Sequence, residues 1–515
     1  MLINISPREY QQKIFEIARE RNTLVVLPTG LGKTLIALLL SIERKKKFPT
    51  SKVLFLAPTK PLVEQHFEYF KKHLSELFAD LQLFTGAVPA NKRKEIWNTA
   101  EIIFSTPQCI ANDLDKYLYK LDETSLLIID EAHRCLKNYD YTKVVAFYKQ
   151  QAPREMQRIL GLTASPGHEQ EKIKQICKHL EIEEIEVRSR ESADVKDYLQ
   201  TLDFEKVEVI FPPEFIEIRV LLKRVYDEQV DKIRKMFPNV FPVNKITLLR
   251  LQASLAGQIS RGNFPAMMGM SLCAKAIKIS HAIELLETQT LSGLNIYLKG
   301  LQLQAEQKKS KAVQSLVKSP DFNAAIISLQ MLLAKKVEHP KISKIREIID
   351  KEFKEKSNSK VIIFTQYRET ASSIANNLNE NPEIKASIFI GQAKKASGGL
   401  SQKEQKEIIE KFKTGEINVL VATSIGEEGL DIPEVGAVIF YEPIPSAIRK
   451  IQRAGRTARL APGKLFILVT KDTRDEINHY ASYAREKKMH KVISTMKEEM
   501  KNNNHKKSRT LFDYK

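Results

Sequence analysis

The sequence predicts an α/β protein: two doubly wound, parallel-sheet domains with an all-helical insert domain between them. Three observations predict it. Short continuous apolar runs alternate with helix-length segments up to about residue 190, the same alternation returns near Lys360, and the strand signal disappears between about Pro212 and Glu338.

In the first region the expected strands are Thr23–Leu27, Val53–Ala57, Ile102–Ser105, Leu126–Ile129 and Arg158–Leu162. Each is apolar throughout rather than alternating, which suits parallel strands covered on both faces. Helices are expected between them, over Lys33–Arg44 and Pro61–His73, and this βα alternation is that of a doubly wound sheet. The second region repeats the grammar with strands at Val361–Phe364, Ala386–Ile390, Val419–Ala422, Ala437–Tyr441 and Leu465–Val469. In the insert, Glu217–Met236, Asn244–Ser260 and Met270–Leu301 carry apolar residues at helical spacing among many lysines and arginines. After Thr470 the chain reads as helix to about Met500, then as a polar, basic, disordered stretch over Lys501–Ser508. The resulting division is 1–205, 206–340, 341–480 and a basic tail, 481–515.

A chain of 515 residues suffices for about three domains, and 43% hydrophobic with 28% charged residues is a globular, water-soluble balance. The formal charge of +19 favours a polyanionic partner, because each phosphate neutralised by Lys or Arg releases counterions. Cys109, Cys135, Cys177 and Cys273 are scattered, with no Cys-x-x-Cys pair, which argues against structural zinc or a disulfide scaffold. The N-terminus lacks a basic segment followed by an apolar core, and the run Leu35–Leu40 is far too short to span a bilayer. A cytoplasmic, nucleoid-associated protein is expected.

Three strings carry the chemistry. An expected strand runs into Pro28-Thr29-Gly30-Leu31-Gly32-Lys33-Thr34 and a helix follows. This is the context in which backbone N–H groups at a helix N-terminus cradle phosphates. Lys33 is placed to reach the β- and γ-phosphates of ATP, and the Thr34 hydroxyl to ligate Mg2+. Leu27 stands where such loops usually begin with glycine, so Gly30 has to supply the loop's freedom. A second expected strand delivers Asp130 and Glu131 at its C-terminal end, where sites of α/β sheets are built. Asp130 is a hard-oxygen ligand for magnesium, Glu131 is suited to orient and deprotonate water, and His133 to sense the far side of a cleft. The third string, Gln452 to Arg459, puts Arg456 and Arg459 on nearly one face of a helix, from which they can stabilise charge on a transferring phosphoryl group.

In this order the strings resemble a superfamily 2 helicase of the DEAH-box kind, which implies two RecA-like domains. The resemblance extends to Pro7-Arg8-Glu9-Tyr10-Gln11, where Arg8 and Gln11 are the implied adenine contacts, and to Ala57-Pro58-Thr59-Lys60 and Ser105-Thr106-Pro107-Gln108, the implied strand-gripping blocks. Thr163-Ala164-Ser165 is similar to the block that couples hydrolysis to domain movement. In the second domain, Phe364-Thr365-Gln366-Tyr367-Arg368 and Ala422 through Pro433 match two more blocks, implying nucleic-acid contacts at Thr365 and Thr423 and a sugar contact at Asp431. The nearer likeness is to the archaeal Hef and Fanconi anaemia M-type branch, carried by Pro-Arg-Glu-Tyr-Gln, Leu-Pro-Thr-Gly-Leu-Gly-Lys-Thr, Leu-Thr-Ala-Ser-Pro-Gly and the helical insert. It implies action on forked or branched DNA and single-stranded DNA, with the insert recognising the branch. No Glu-Arg-Lys-x-x-x-Asp string is present, so a nuclease is expected as a separate partner. The terminal Ser508-Arg509-Thr510-Leu511-Phe512-Asp513-Tyr514 resembles a sliding-clamp-binding peptide anchored by Leu511, Phe512 and Tyr514. Two rival readings stay open: a double-stranded RNA helicase, and a module that binds ATP as a switch without unwinding.

Overall fold

The computed structural model describes every residue except 1, 138, 199, 260–262, 392–398, 427–431, 458–461 and 513–515, and for residues 259, 425, 447, 448, 450 and 501–512 the backbone alone. The first sheet holds seven strands: β1 (Thr23–Val26), β2 (Lys52–Leu56), β3 (Leu81–Phe84), β4 (Ile102–Ser105), β5 (Thr124–Ile129), β6 (Ile159–Thr163) and β7 (Glu184–Val187). Their order is β3-β4-β2-β5-β6-β1-β7, and all pairs are parallel. The second sheet holds β8 (Leu202–Val209), β9 (Val361–Phe364), β10 (Ala386–Phe389), β11 (Val419–Ala422), β12 (Ala437–Phe440) and β13 (Gly463–Thr470), ordered β10-β11-β9-β12-β13-β8 and again all parallel. Alternate residues of the central strands face two cores: Leu54, Leu56, Leu127 and Ile129 on one side of the first sheet, Val53, Phe55, Leu126 and Ile128 on the other. That two-sided burial is why these strands read as unbroken apolar runs.

Three strands escape that signal. β3 and β7 are the edge strands of the first sheet, and β8 is one edge of the second, with Asp203, Phe204 and Glu205 exposed. β8 lies across the 205/206 division and pairs with β13 over its whole length, so the chain enters the second sheet before the insert begins.

The insert is helical as expected: Pro213–Met236, Lys245–Ile259, Phe264–Thr288, Leu291–Glu306, Lys311–Val317 and Pro320–Ala334. The helical spacing read over Met270–Leu301 is carried by two helices, with the break at Gln289–Thr290. Thr290 caps the second piece, its Oγ1 accepting from the Gly293 N–H at 3.2 Å, a standard helix start. The segment is rooted in the second domain by buried polar bonds. Gln289 Nε2 donates to Glu442 (3.4 Å), Thr370 Oγ1 donates to Gln289 Oε1 (2.9 Å), and the fully buried Lys341, paired with Asp475, donates to the Thr288 carbonyl (3.1 Å).

The final helix, Arg474–Phe512, runs unbroken through Lys501–Ser508, where disorder was expected from composition; no glycine or proline interrupts it. It starts on the second domain and crosses to the first, where Met489, Ile493 and Met496 enter the core. The clamp-peptide expectation rests on side chains outside the described residues. Among the described residues no helix is long and apolar enough to cross a membrane.

Candidate functional site

The phosphate loop follows β1 and opens the helix Lys33–Lys47. Gly30 and Gly32 both sit at positive φ (86° and 73°), and a Cβ on Gly32 would lie 2.3 Å from Gln11 Nε2, so only glycine fits there. Gln11 is buried against the loop, its Nε2 donating to the Leu31 carbonyl (3.0 Å) and its Oε1 accepting from the Arg8 N–H (2.8 Å). The Arg8 guanidinium lies over the Tyr198 ring, 4.9 Å from its centroid. Lys33 Nζ donates to the carbonyls of Leu27 (2.8 Å) and Pro28 (3.3 Å), folded back on its own loop.

Asp130 and Glu131 follow β5, as expected, on the same edge as the loop. Glu131 is held at φ 50°, ψ 48°, a left-handed conformation that a residue with a side chain adopts at some cost and that clusters at functional sites. Asp130 is buried: burial pushes its pKa up, but the His66 ring and the Lys33 ammonium outweigh that and hold it below the ordinary carboxylate value. Glu131 Oε2 is buried with no hydrogen bond; His133 Nδ1 is 3.2 Å away but badly aimed. The same nitrogen lies 3.2 Å from Thr163 Oγ1, which donates to the Ser165 carbonyl (3.0 Å), and Ser165 Oγ contacts Met489 Sδ of the final helix at 2.8 Å. Glu131, His133, Thr163 and Ser165 therefore form one continuous line that ends on the helix linking the two domains.

Sequence reasoning missed His66. It lies in the helix Lys60–His73, with Nδ1 3.3 Å from Thr34 Oγ1 and Nε2 2.8 Å from Asp130 Oδ2. Thr34 and Asp130 thus lie on either side of the His66 ring, one at each nitrogen. Among the described residues no group of three His, Cys, Asp or Glu side chains is placed to hold a metal. A hydroxyl and a carboxylate fit magnesium, which takes few protein ligands and completes its shell with water and phosphate oxygens.

The second domain meets this site through the helix Ala447–Ala454 and the turn after it. A Cβ on Gly455 would lie 1.4 Å from Thr29 Oγ1, so glycine alone lets the two domains touch there. Gln452 and Arg456 are nearly buried. The helix stops at Ala454, which puts Arg456 in the following turn and not on a shared helix face with Arg459; Arg459 and Asp431 lie outside the described residues.

Of the expected nucleic-acid contacts, Thr59 and Thr106 are the N-caps of helices after β2 and β4, with Pro58 and Lys60 beside the first. Lys60 pairs with Glu64, which also reaches Lys406 of the second domain at 3.0 Å. Thr423 is nearly buried after β11, and Thr365 is fully buried with its hydroxyl donating to Glu442 Oε2 at 3.2 Å. Thr365 therefore has no face for a strand: its hydroxyl belongs to the joint with the insert.

Family models match in the same order: "DEAD/DEAH box helicase" over residues 8–173, "Putative ATP-dependent RNA helicase, helical bundle" over 214–339 and "Helicase conserved C-terminal domain" over 340–461. The solved Pyrococcus furiosus Hef helicase domain is 42% identical, with a TM-score of 0.70, covering 94% of this chain and 100% of that one. The chain belongs to the Hef and Fanconi anaemia M-type superfamily 2 helicases. Within this family it is 38% identical to the "Putative ATP-dependent RNA helicase MJ1505" of Methanocaldococcus jannaschii, over 96% of this chain and 61% of that protein. It is 34% identical to the ATP-dependent DNA helicase mph1 of Sclerotinia sclerotiorum (95% and 41%) and 33% identical to the mouse Fanconi anemia group M protein homolog (95% and 26%). The chain thus spans between 26% and 61% of the length of these curated relatives.

Proposed function

We propose that this chain is an ATP-dependent DNA helicase or translocase that remodels forked and branched DNA. The observation that carries the reading is the contact of Gly455 with Thr29, which sets the second domain directly on the phosphate loop. Lys33 turns from the Leu27 and Pro28 carbonyls to the β- and γ-phosphates of ATP. Thr29, Gly30 and Gly32 shape the cradle, Arg8 and Gln11 read the adenine, and Asp431 holds the sugar. Thr34 and Asp130 hold magnesium, which when bound neutralises charge on the phosphates. Glu131 orients the attacking water and takes its proton. Gln452, Arg456 and Arg459 complete the site from the second domain, so hydrolysis requires closure. His133, Thr163 and Ser165 pass the state of Glu131 to the final helix. Pro58, Thr59, Lys60, Thr106 and Thr423 grip one strand, and the basic insert supplies the preference for branches.

A second reading, action on duplex RNA, is favoured by the printed names of the insert model and of the Methanocaldococcus relative. Two relatives named as DNA helicases or Fanconi group M proteins support DNA. ATPase and strand-displacement rates at fixed salt on forked DNA, linear duplex DNA, single-stranded DNA and duplex RNA, with Lys33→Ala as control, decide between them. The fork is expected to stimulate most; stimulation by duplex RNA alone would replace the DNA assignment and leave the ATPase site standing.

A further inference from the structure

Tyr198 belongs to none of the motifs above, yet the fold lays its ring against the start of the chain. It stands on the stretch between β7 and β8, where the chain leaves the first sheet for the second. That stretch is pinned locally. Val195 is fully buried in the core that also holds Leu27 and Leu31, Arg188 Nε donates to Asp194 Oδ2 (2.7 Å), and the Tyr198 N–H donates to the Val195 carbonyl (2.9 Å). The Tyr198 ring packs on Tyr10, centroids 5.7 Å apart at 59°. Tyr10 is itself fixed, fully buried with its hydroxyl donating to the Leu31 carbonyl of the phosphate loop (2.8 Å). Over the Tyr198 ring lies the Arg8 guanidinium, 4.9 Å from the centroid, within the range at which an aromatic quadrupole holds a cation. Gln11 meanwhile accepts from the Arg8 backbone N–H. Gln11 therefore fixes where the Arg8 side chain starts, and Tyr198 where it ends.

We propose that Tyr198 is the positioning residue for Arg8 in nucleobase recognition: its ring holds the guanidinium in place before ATP arrives and so sets part of the preference for adenine over other bases. The inference rests on the assignment of Arg8 as an adenine contact. A long side chain left free to rotate loses conformational entropy when a ligand immobilises it. Holding it in advance removes that cost from binding, and only a ligand whose base meets Arg8 gains by it. The phosphates are bound by other groups, so their contribution is independent of Tyr198.

The test is calorimetric binding of ATP, GTP and ribose triphosphate, which has no base, to the whole chain as wild type, Tyr198→Ala, Tyr198→Phe, Arg8→Ala and the Arg8→Ala/Tyr198→Ala double variant. Tyr198→Ala is expected to weaken ATP binding by roughly 3- to 10-fold, with ribose triphosphate binding and the melting temperature near wild type, so that the preference for ATP over GTP narrows. Tyr198→Phe keeps the ring and is expected to keep the preference. The double variant is expected to bind ATP no more weakly than Arg8→Ala alone, because the ring acts through the guanidinium. If Arg8→Ala narrows the preference and Tyr198→Ala does not, the role of Tyr198 is overturned alone. Equal weakening of all three ligands in Tyr198→Ala, with a lowered melting temperature, would reduce Tyr198 to a packing residue. If Arg8→Ala leaves the preference unchanged, the adenine assignment itself fails and this inference with it.

Discussion

At the scale of single residues, the site divides into what backbone chemistry announces and what only the fold assembles. Gly30, Gly32, Lys33 and Thr34 were legible because a phosphate cradle needs a set backbone path, and a path leaves a residue pattern. Asp130 and Glu131 were legible because they end an apolar run. His66 was not, because it is one polar residue among the apolar and charged positions of a helix, and its partners lie 32 and 64 residues away. The exchange of one hydrogen at Gly455 is a sharp local test. Gly455→Ala puts a methyl 1.4 Å from Thr29 Oγ1 and forces the domains apart. Displacement by about 1 Å can cost on the order of 100-fold in rate, so DNA-stimulated ATPase should fall by about that much while nucleotide still binds within a few-fold of wild type. An unchanged turnover number would show that the cleft does not need this contact.

At the scale of elements, the central strands were legible and, of the four edge strands, only β10 was. Central strands are buried on both faces and read as apolar runs, whereas β8 carries Asp203 and Glu205 toward water and announces nothing. The final helix was read as a tail because no local pattern tells a helix which domain it packs on. Its Ile493 is 1% exposed in the first-domain core. Ile493→Ala should cost about 2–5 kcal/mol, and Trp97, the chain's only tryptophan and a member of the same core, reports it by fluorescence in urea. A midpoint equal to wild type would mean the helix is not docked there. The joint between insert and second domain offers a pH test. Burial pushes the Glu442 pKa up to about 7, with Asp475 adding to the shift and Arg453 and Lys341 opposing it. A carboxyl whose folded pKa is raised gives stability that is complete below its unfolded value of 4.5 and is lost as pH rises through 7. Glu442→Gln should therefore match wild type at pH 5 and exceed it at pH 8, by up to about 3 kcal/mol, read as the difference in melting temperature between the two proteins. The same difference at both pH values would show that Glu442 is already ionised when folded.

At the scale of the whole molecule, two parallel sheets, an insert rooted in the second of them and a helix returning to the first form a closed circuit around one nucleotide site. The repeated βα grammar made the two sheets legible, and the loss of strand signal made the insert legible. How the parts join, through β8, Gln289 and Met489, lies in long-range contacts that periodicity does not encode. The charge of +19 fits a polyanionic track. Binding to DNA should weaken steeply with salt, log affinity falling by roughly 0.7–0.9 per tenfold salt for each phosphate contacted. A slope near zero would remove electrostatic tracking from the account. The central claim is that residues of the second domain complete the chemistry of the first, and single-turnover ATP hydrolysis by Arg456→Ala on forked DNA tests it most directly. The account predicts near-normal binding of ATP and DNA with hydrolysis reduced about 10³-fold or more and no strand displacement, as for Glu131→Gln. Hydrolysis by Arg456→Ala at the wild-type rate would contradict it.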